Sequence, residues 1–164
     1  TDPETPFEIA FFDRGPLSIE SLFTGGYWSV YWFNGRLYGA EISRGIDVFR
    51  LTPSEHLSAA EIAAAEAVMM NEFNAQLQPK VEWAPTRDVA QAYLDQMTRA
   101  NRILDDRAAQ IQNALDTSAS AMQLNSLAAE IEADVVQIEA GELGGDAERL
   151  SKLAAVLRGM AAQQ

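Results

Sequence analysis

The sequence predicts an α+β fold in which a short antiparallel β-meander is followed by an α-helical bundle. Eleven of the fourteen aromatic residues lie before Thr52, and the remainder of the chain is rich in Ala, Leu, Glu, Asp and Gln. Aromatic and β-branched residues favour strands, whereas Ala, Leu, Glu and Gln favour helices. This change in composition predicts three parts: a β-meander over residues 1–57, a bridging helix over residues 58–78 and a helical bundle over residues 79–164.

The region 27–39 carries the clearest strand signal. A run of aromatic and β-branched residues from Tyr27 to Phe33 leads into Asn34-Gly35, a pair that strongly favours the type I′ turn of a β-hairpin. Strict alternation along the first strand predicts two apolar faces, formed by Tyr27, Tyr31 and Phe33 on one side and by Trp28, Val30 and Trp32 on the other. A strand that is apolar on both faces is expected to be covered on both.

Two more strands are predicted beside this hairpin. Phe7–Phe12 places apolar side chains at its odd-numbered positions, which indicates a half-covered outer strand. Ile46–Leu51 follows a turn at Gly45 and is the third strand of the meander.

Helical periodicity begins near residue 58. Ser58 and Glu61 form a capping box, and the helix that they open is predicted to reach about Gln76, with an inner face that includes Ile62, Met69 and Phe73. Four further amphipathic helices are predicted, and their starts lie at Thr86, Asp105, Ser120 and Asp146. Helices joined by short connections pack most simply as an antiparallel bundle.

Composition limits the partners and the chemistry of the chain. The formal net charge of −12 disfavours a nucleic-acid partner, because phosphate binding needs clustered Lys and Arg, and the twelve basic residues are scattered. No apolar run is long enough for a membrane span. Cysteine is absent and His56 is the single histidine, which excludes a thiolate zinc site, a two-histidine metal site and a Ser-His-Asp triad built from this sequence alone. No cofactor or metal is predicted.

Three charged residues near the turn after the hairpin form the candidate ligand-binding set: Glu41, Arg44 and Asp47. If their side chains converge at one end of the sheet, the carboxylates suit acid–base work or a hard cation, and the guanidinium suits an anion. The competing interpretation is that the carboxylates face water or pair with nearby arginines and that Arg44 is solvated.

The aromatic stripe of the first strand is a candidate interface, formed by Trp28, Tyr31 and Trp32. Aromatic side chains of this kind also form platforms for sugars or bases. In a sheet that is covered on both faces they would instead be core.

A spaced pattern runs through residues 2–57: Asp2-Pro3 with Pro6, then the hairpin Trp28–Tyr38, then Arg44–Phe49. This pattern resembles the repeat of LVIVD-repeat β-propeller proteins, in which each repeat contributes a blade. The three segments match the link between repeats, the central hairpin and the final strand. The aspartate that usually ends the final strand is absent, since Arg50 stands there, as expected for a last repeat.

The resemblance implies that residues 1–57 are a terminal propeller blade of a secreted, periplasmic or cell-surface protein. Thr1 would then fall at a blade boundary, so the chain is expected to be a C-terminal portion of a longer protein. The expected role is non-enzymatic interaction or assembly, with the remainder of its own propeller or another protein chain as partner. Two alternatives stay open: a hydrolase or metal-dependent enzyme whose site is completed by other blades, and an acidic helical adaptor.

Overall fold

The protein has an α+β fold in which a three-stranded antiparallel sheet is followed by five helices. This computed structural model describes residues 6–74, 76 and 80–164. The chain divides into two compact units, of which the first ends at Lys80 and the second is Val81–Gln164. The first unit contains the sheet and one helix, and the second contains the other four helices.

The sheet is a meander with the strand order β1-β2-β3. Its strands are β1 (Tyr27–Phe33), β2 (Arg36–Glu41) and β3 (Gly45–Phe49). The turn between β1 and β2 has positive φ at both central residues, 46° at Asn34 and 77° at Gly35, which confirms the predicted hairpin. Gly45 also has positive φ, as the turn before the third strand requires.

A β-bulge near the start of β1 changes the predicted faces. The register against β2 shifts between Tyr27 and Ser29, so that Trp28 is an extra residue in β1. An extra residue inverts the alternation of side chains across it. Tyr27 therefore does not share a face with Tyr31 and Phe33, and that part of the prediction is wrong.

The two faces of the sheet differ in chemistry. Because residues that pair across strands point to the same side, the register assigns each side chain to a face. One side, called the carboxylate face here, includes Tyr27, Gly39, Glu41, Asp47 and Phe49. The other side, called the tyrosine face, includes Tyr31, Phe33, Tyr38, Ile46 and Val48.

The predicted strand Phe7–Phe12 is not a strand in the structure. Residues 6–16 have no regular secondary structure. Phe12 instead packs its ring on Phe49 with the ring centroids 4.7 Å apart, and Phe7 meets His56 edge-on at 5.2 Å. Strand propensity alone does not make a strand, because the backbone must also find a paired neighbour.

The helix of the first unit, α1 (Ala59–Glu66), begins where the sequence predicts. The Ser58 hydroxyl accepts a hydrogen bond from the Glu61 amide at 3.2 Å, and the Glu61 carboxylate accepts one from the Ser58 amide at 2.6 Å. This confirms the capping box. Ile62 is buried on the inner face of the helix, as predicted.

The end of α1 comes ten residues before the predicted Gln76. The side-chain amide of Asn34 pairs with the backbone of Met70: Asn34 Oδ1 accepts from the Met70 amide at 2.7 Å, and Asn34 Nδ2 donates to the Met70 carbonyl at 3.0 Å. An amide held in this way cannot donate to the carbonyl four residues earlier, as a helix requires. The helix therefore cannot continue through Met70. Met69 and Phe73 lie outside α1, and their assignment to its inner face is wrong.

Glu66, the last residue of α1, joins the helix to the hairpin. Its Oε1 accepts from Arg36 Nη1 at 3.0 Å and from Arg50 Nε at 3.1 Å. Gly35 packs directly against it, and a Cβ at this glycine would lie 3.2 Å from Glu66 Cγ. The hairpin turn and the chain that follows β3 therefore meet at the C-terminal end of α1.

The second unit consists of four helices, α2 (Arg87–Arg99), α3 (Asp105–Asp116), α4 (Ala121–Glu139) and α5 (Ala147–Ala161). The predicted caps Thr86, Ser120 and Asp146 are confirmed, since each side chain accepts a backbone amide three residues later. α5 packs against α4 and α2, and α3 packs against α2 and α4. In the described part of the chain, no helix has the length and hydropathy of a membrane span.

Burial of apolar side chains is concentrated in the second unit. Among the described residues, the buried apolar side chains of the first unit are Ile62 and Ala64, and the others lie between α2 and the end of α5. The largest fully buried side chains are Met97, Ile111, Leu124, Ile131, Leu153 and Leu157. The helical unit thus has an apolar core of its own, and the sheet unit has very little.

Replacing Asn34 with glycine tests how strongly the hairpin holds the chain after α1. Asn34→Gly keeps the positive φ of the turn but removes both hydrogen bonds to Met70, so we expect it to lower the free energy of unfolding of the first unit by about 1–2 kcal/mol. Urea unfolding followed by tryptophan fluorescence measures this change.

The matched control is Asn101→Gly, at a second asparagine with positive φ (52°) and with no hydrogen bond from its side chain to any described residue. We expect it to change stability by less than about 0.5 kcal/mol. Equal effects of the two substitutions would contradict a stabilising role for the Asn34–Met70 pair.

Candidate functional site

The three predicted ligand-binding residues lie near one another at one end of the sheet. Glu41 ends β2, Arg44 is in the turn that follows, and Asp47 is the third residue of β3. Glu41 and Asp47 both belong to the carboxylate face. The predicted convergence of these residues is therefore seen in the structure. Their possible chemistry depends on what their charged groups contact.

Among the described residues of the first unit, Glu41 is the charged residue that is buried, with 7% of its surface exposed. Its carboxylate accepts backbone hydrogen bonds from Gly26 at 3.0 Å, from Ser43 at 2.8 Å and from Arg44. The Gly26 amide holds the pKa of Glu41 below its ordinary value, and the other two amides add to this against the opposing effect of burial. Glu41 thus ties the start of β1 to the β2–β3 turn.

Asp47 is held by two side chains. It accepts hydrogen bonds from the Tyr27 hydroxyl and from the guanidinium of Arg14. The Tyr27 hydroxyl is the main cause that keeps the pKa of Asp47 below its ordinary value, and Arg14 adds to it. Burial, together with the hydrogen bond to Asp47, raises the pKa of Tyr27, so this hydroxyl stays protonated at neutral pH.

A glycine gives the Tyr27 ring its position. A Cβ on Gly39 would lie 2.8 Å from two carbon atoms of that ring and 3.3 Å from the ring of Phe49. The two rings meet edge-on with centroids 5.8 Å apart. An isolated glycine inside a strand is a known signal of such close approach, so this contact could have been found from the sequence.

An open cavity of about 430 Å³ adjoins the carboxylate face and is lined by residues of the segment 12–27 together with Glu41 and Arg44. The Arg44 guanidinium donates to the Gly15 carbonyl at 3.4 Å. Among the described residues, no carboxylate forms an ion pair with Arg44. Its predicted anion-binding role stays a prediction.

In the present arrangement, the carboxylates of Glu41 and Asp47 stabilise the structure by holding neighbouring parts of the first unit together. Both carboxylates already accept hydrogen bonds, and an acid–base role would require them to exchange these partners. Within the part of the chain that the structure describes, no group of three or more metal-ligating side chains comes together. Tyr27 and Arg14 were not among the predicted site residues, because the bulge and the path of residues 6–26 place them there.

The candidate interface residues of β1 lie in different environments. Trp28 is 77% exposed at the bulge, Tyr31 is exposed on the tyrosine face, and Trp32 is half-buried. Tyr31 stands opposite Tyr38, and Tyr38 stands opposite Val48. These three side chains form one apolar row across all three strands.

The tyrosine face extends beyond this row to Ile46 on β3, and Phe73 covers the part of it near Tyr31 and Phe33. Ile46 and Val48 on β3 are 75% and 56% exposed. Phe73 packs edge-on against Tyr31 and Phe33, with centroid distances of 5.2 and 5.8 Å. The part of the tyrosine face formed by Tyr38, Ile46 and Val48 therefore remains exposed within the first unit.

Comparison of the chain with known protein families, curated proteins and solved structures gives no match.

Replacing Gly39 with alanine tests the packing of Tyr27. The added methyl group cannot fit at 2.8 Å from the ring, so Gly39→Ala should displace Tyr27 and lower the free energy of unfolding of the sheet unit by about 1–3 kcal/mol. Gly144→Ala is the control, because a Cβ there meets nothing within 4 Å. Urea unfolding of both variants measures the difference, and a neutral Gly39→Ala would contradict the tight contact.

Because the Glu41 carboxylate is stabilised in its charged form, we expect the first unit to lose stability in acid. The pKa of Glu41 is lower in the folded protein than the ordinary value of about 4.3, so its stabilising effect is complete above that pH and is lost as the pH falls through the lower, folded value. Glu41→Gln removes this contribution.

We expect Glu41→Gln to be less stable than the wild type at pH 7 and to lose less stability between pH 5 and about pH 3. Thermal unfolding across this pH range measures both effects. Glu20→Gln, at an exposed glutamate, is the control and should follow the wild-type curve. An unchanged pH profile in Glu41→Gln would contradict the assigned role of the carboxylate.

Proposed function

We propose that the first unit is a non-enzymatic assembly element whose tyrosine face packs against a second β-sheet, as the terminal blade of a β-propeller does. The observation that carries this proposal is the row Tyr31–Tyr38–Val48, which crosses all three strands and is exposed at every position. Contiguous exposed apolar patches mark interaction surfaces, and neighbouring sheets pack through such faces at about 10 Å.

The composition of the tyrosine face supports a sheet as the partner. Among the strand residues that the register places on this face, Arg36 carries the only charge, and it lies at the hairpin end, where it pairs with Glu66. The centre of the face is therefore free of charge. Charge-free, β-branched and aromatic faces are typical of the inner surfaces of packed sheets.

The scarcity of buried apolar side chains in the first unit supports the same proposal. In the described residues of this unit, only Ile62 and Ala64 are buried apolar side chains. Units of this size normally depend on burial of a much larger apolar surface. A sheet packed on the tyrosine face would supply that burial.

The resemblance of residues 2–57 to the LVIVD repeat favours a propeller over other sheet assemblies. The partner is then the remainder of its own propeller or another protein chain, and the setting is extracytoplasmic. A meander of sequential antiparallel strands is also the topology from which propeller blades are built.

The enzymatic alternative would place a hydrolase or metal site around Glu41 and Asp47. These carboxylates are occupied by backbone amides, Tyr27 and Arg14, so no observation favours that alternative. The acidic-adaptor alternative likewise has no specific contact in its favour.

A charge placed in the centre of the tyrosine face tests the proposed function. The wild type and Val48→Lys are produced in the native host, isolated under native conditions, and measured by intact mass spectrometry and light scattering. We expect the wild type to be isolated as part of a heavier species, that is, a complex larger than the single chain. Val48→Lys should weaken that association about tenfold or more, because burial of an unpaired ammonium group is costly.

The matched control is Val136→Lys, at a valine of α4 that is 66% exposed in the second unit. This variant should assemble as the wild type does. A wild-type chain that travels as a lone folded monomer, or equal loss of assembly in both variants, would overturn the proposed role of the tyrosine face.

A further inference from the structure

The segment Phe7–Phe12 has the sequence of a strand but no strand partner. Within residues 6–74, 76 and 80–164, no hydrogen bond reaches the backbone N–H or C=O of any of its six residues. Its side chains are exposed, and Phe11 is 85% exposed. A row of unpaired backbone groups beside exposed aromatic side chains is a template for strand pairing.

One side of this segment is already attached to the first unit. Phe12 packs on Phe49, and two residues later Arg14 binds Asp47. Both partners belong to the carboxylate face, so the chain lies over that face and does not follow the free edge of β3. Phe12 is held on the carboxylate face and Phe7 contacts His56, whereas Ile9 and Phe11 are exposed and Phe11 forms no ring contact with any described residue.

We infer that residues 7–12 become a β-strand by pairing with the free edge of a β-sheet outside this chain. The unpaired backbone determines the chemistry of the partner, because a sheet edge presents the alternating N–H and C=O groups that satisfy an extended strand. An apolar groove that buried the segment would remove these groups from water without replacing their hydrogen bonds. The exposed Ile9 and Phe11 then contribute to one face of the enlarged sheet.

This inference rests on the proposed assembly, since it needs a second sheet, but it concerns a different surface from the tyrosine face. Hydrogen exchange resolved to single amides is measured on the heavier native species and on the purified chain alone. We expect alternate amides of residues 7–12, either the odd-numbered or the even-numbered set, to exchange about tenfold or more slowly in the heavier species. The amides of α5 are the internal control and should exchange equally in both samples.

The outcomes separate the two proposals. A heavier species in which residues 7–12 exchange as fast as in the chain alone overturns strand pairing and leaves the assembly role intact. A lone monomer with fast exchange overturns both. Protection of these amides in a lone monomer overturns pairing with an outside sheet, because the segment would then pair within its own chain.

Discussion

The first unit depends on Asn34, which acts through both its backbone conformation and its side-chain amide. Its backbone and that of Gly35 adopt the positive φ values of the type I′ turn, and this turn sets the register of β1 against β2. Its amide group binds both backbone groups of Met70. Asn34 thereby sets the pairing of β1 with β2 up to the bulge and prevents α1 from continuing through Met70.

The two units are stabilised by different physical means. The helical unit buries leucine, isoleucine and methionine side chains between helices, so the hydrophobic effect is its main source of stability. The described part of the sheet unit is held by polar contacts at its edges: Glu41 with three backbone amides, Asp47 with Tyr27 and Arg14, and Glu66 with two arginines. Such contacts fix geometry more than they supply free energy, because each replaces hydrogen bonds to water.

Local signals in the sequence predicted local structure well. Helix starts at Ser58, Thr86 and Ser120 were predicted because a cap involves residues only three positions apart. The end of α1 was not predicted, because the chain after the helix is held at Met70 by an asparagine thirty-six residues before Met70. The grouping of Glu41, Arg44 and Asp47 followed from one turn, whereas their contacts with Gly26, Tyr27 and Arg14 depend on a bulge and an irregular segment that composition does not reveal.

The Asn34–Met70 pair also decides how the first unit would respond to mechanical tension. Met70 lies between α1 and the chain that leads to Val81, so a force applied through the helical unit reaches Met70 before it reaches α1. The two hydrogen bonds to Asn34 pass that force into the hairpin turn instead of into the last turn of the helix. Tension would therefore break this amide pair first, and α1 would unwind only afterwards.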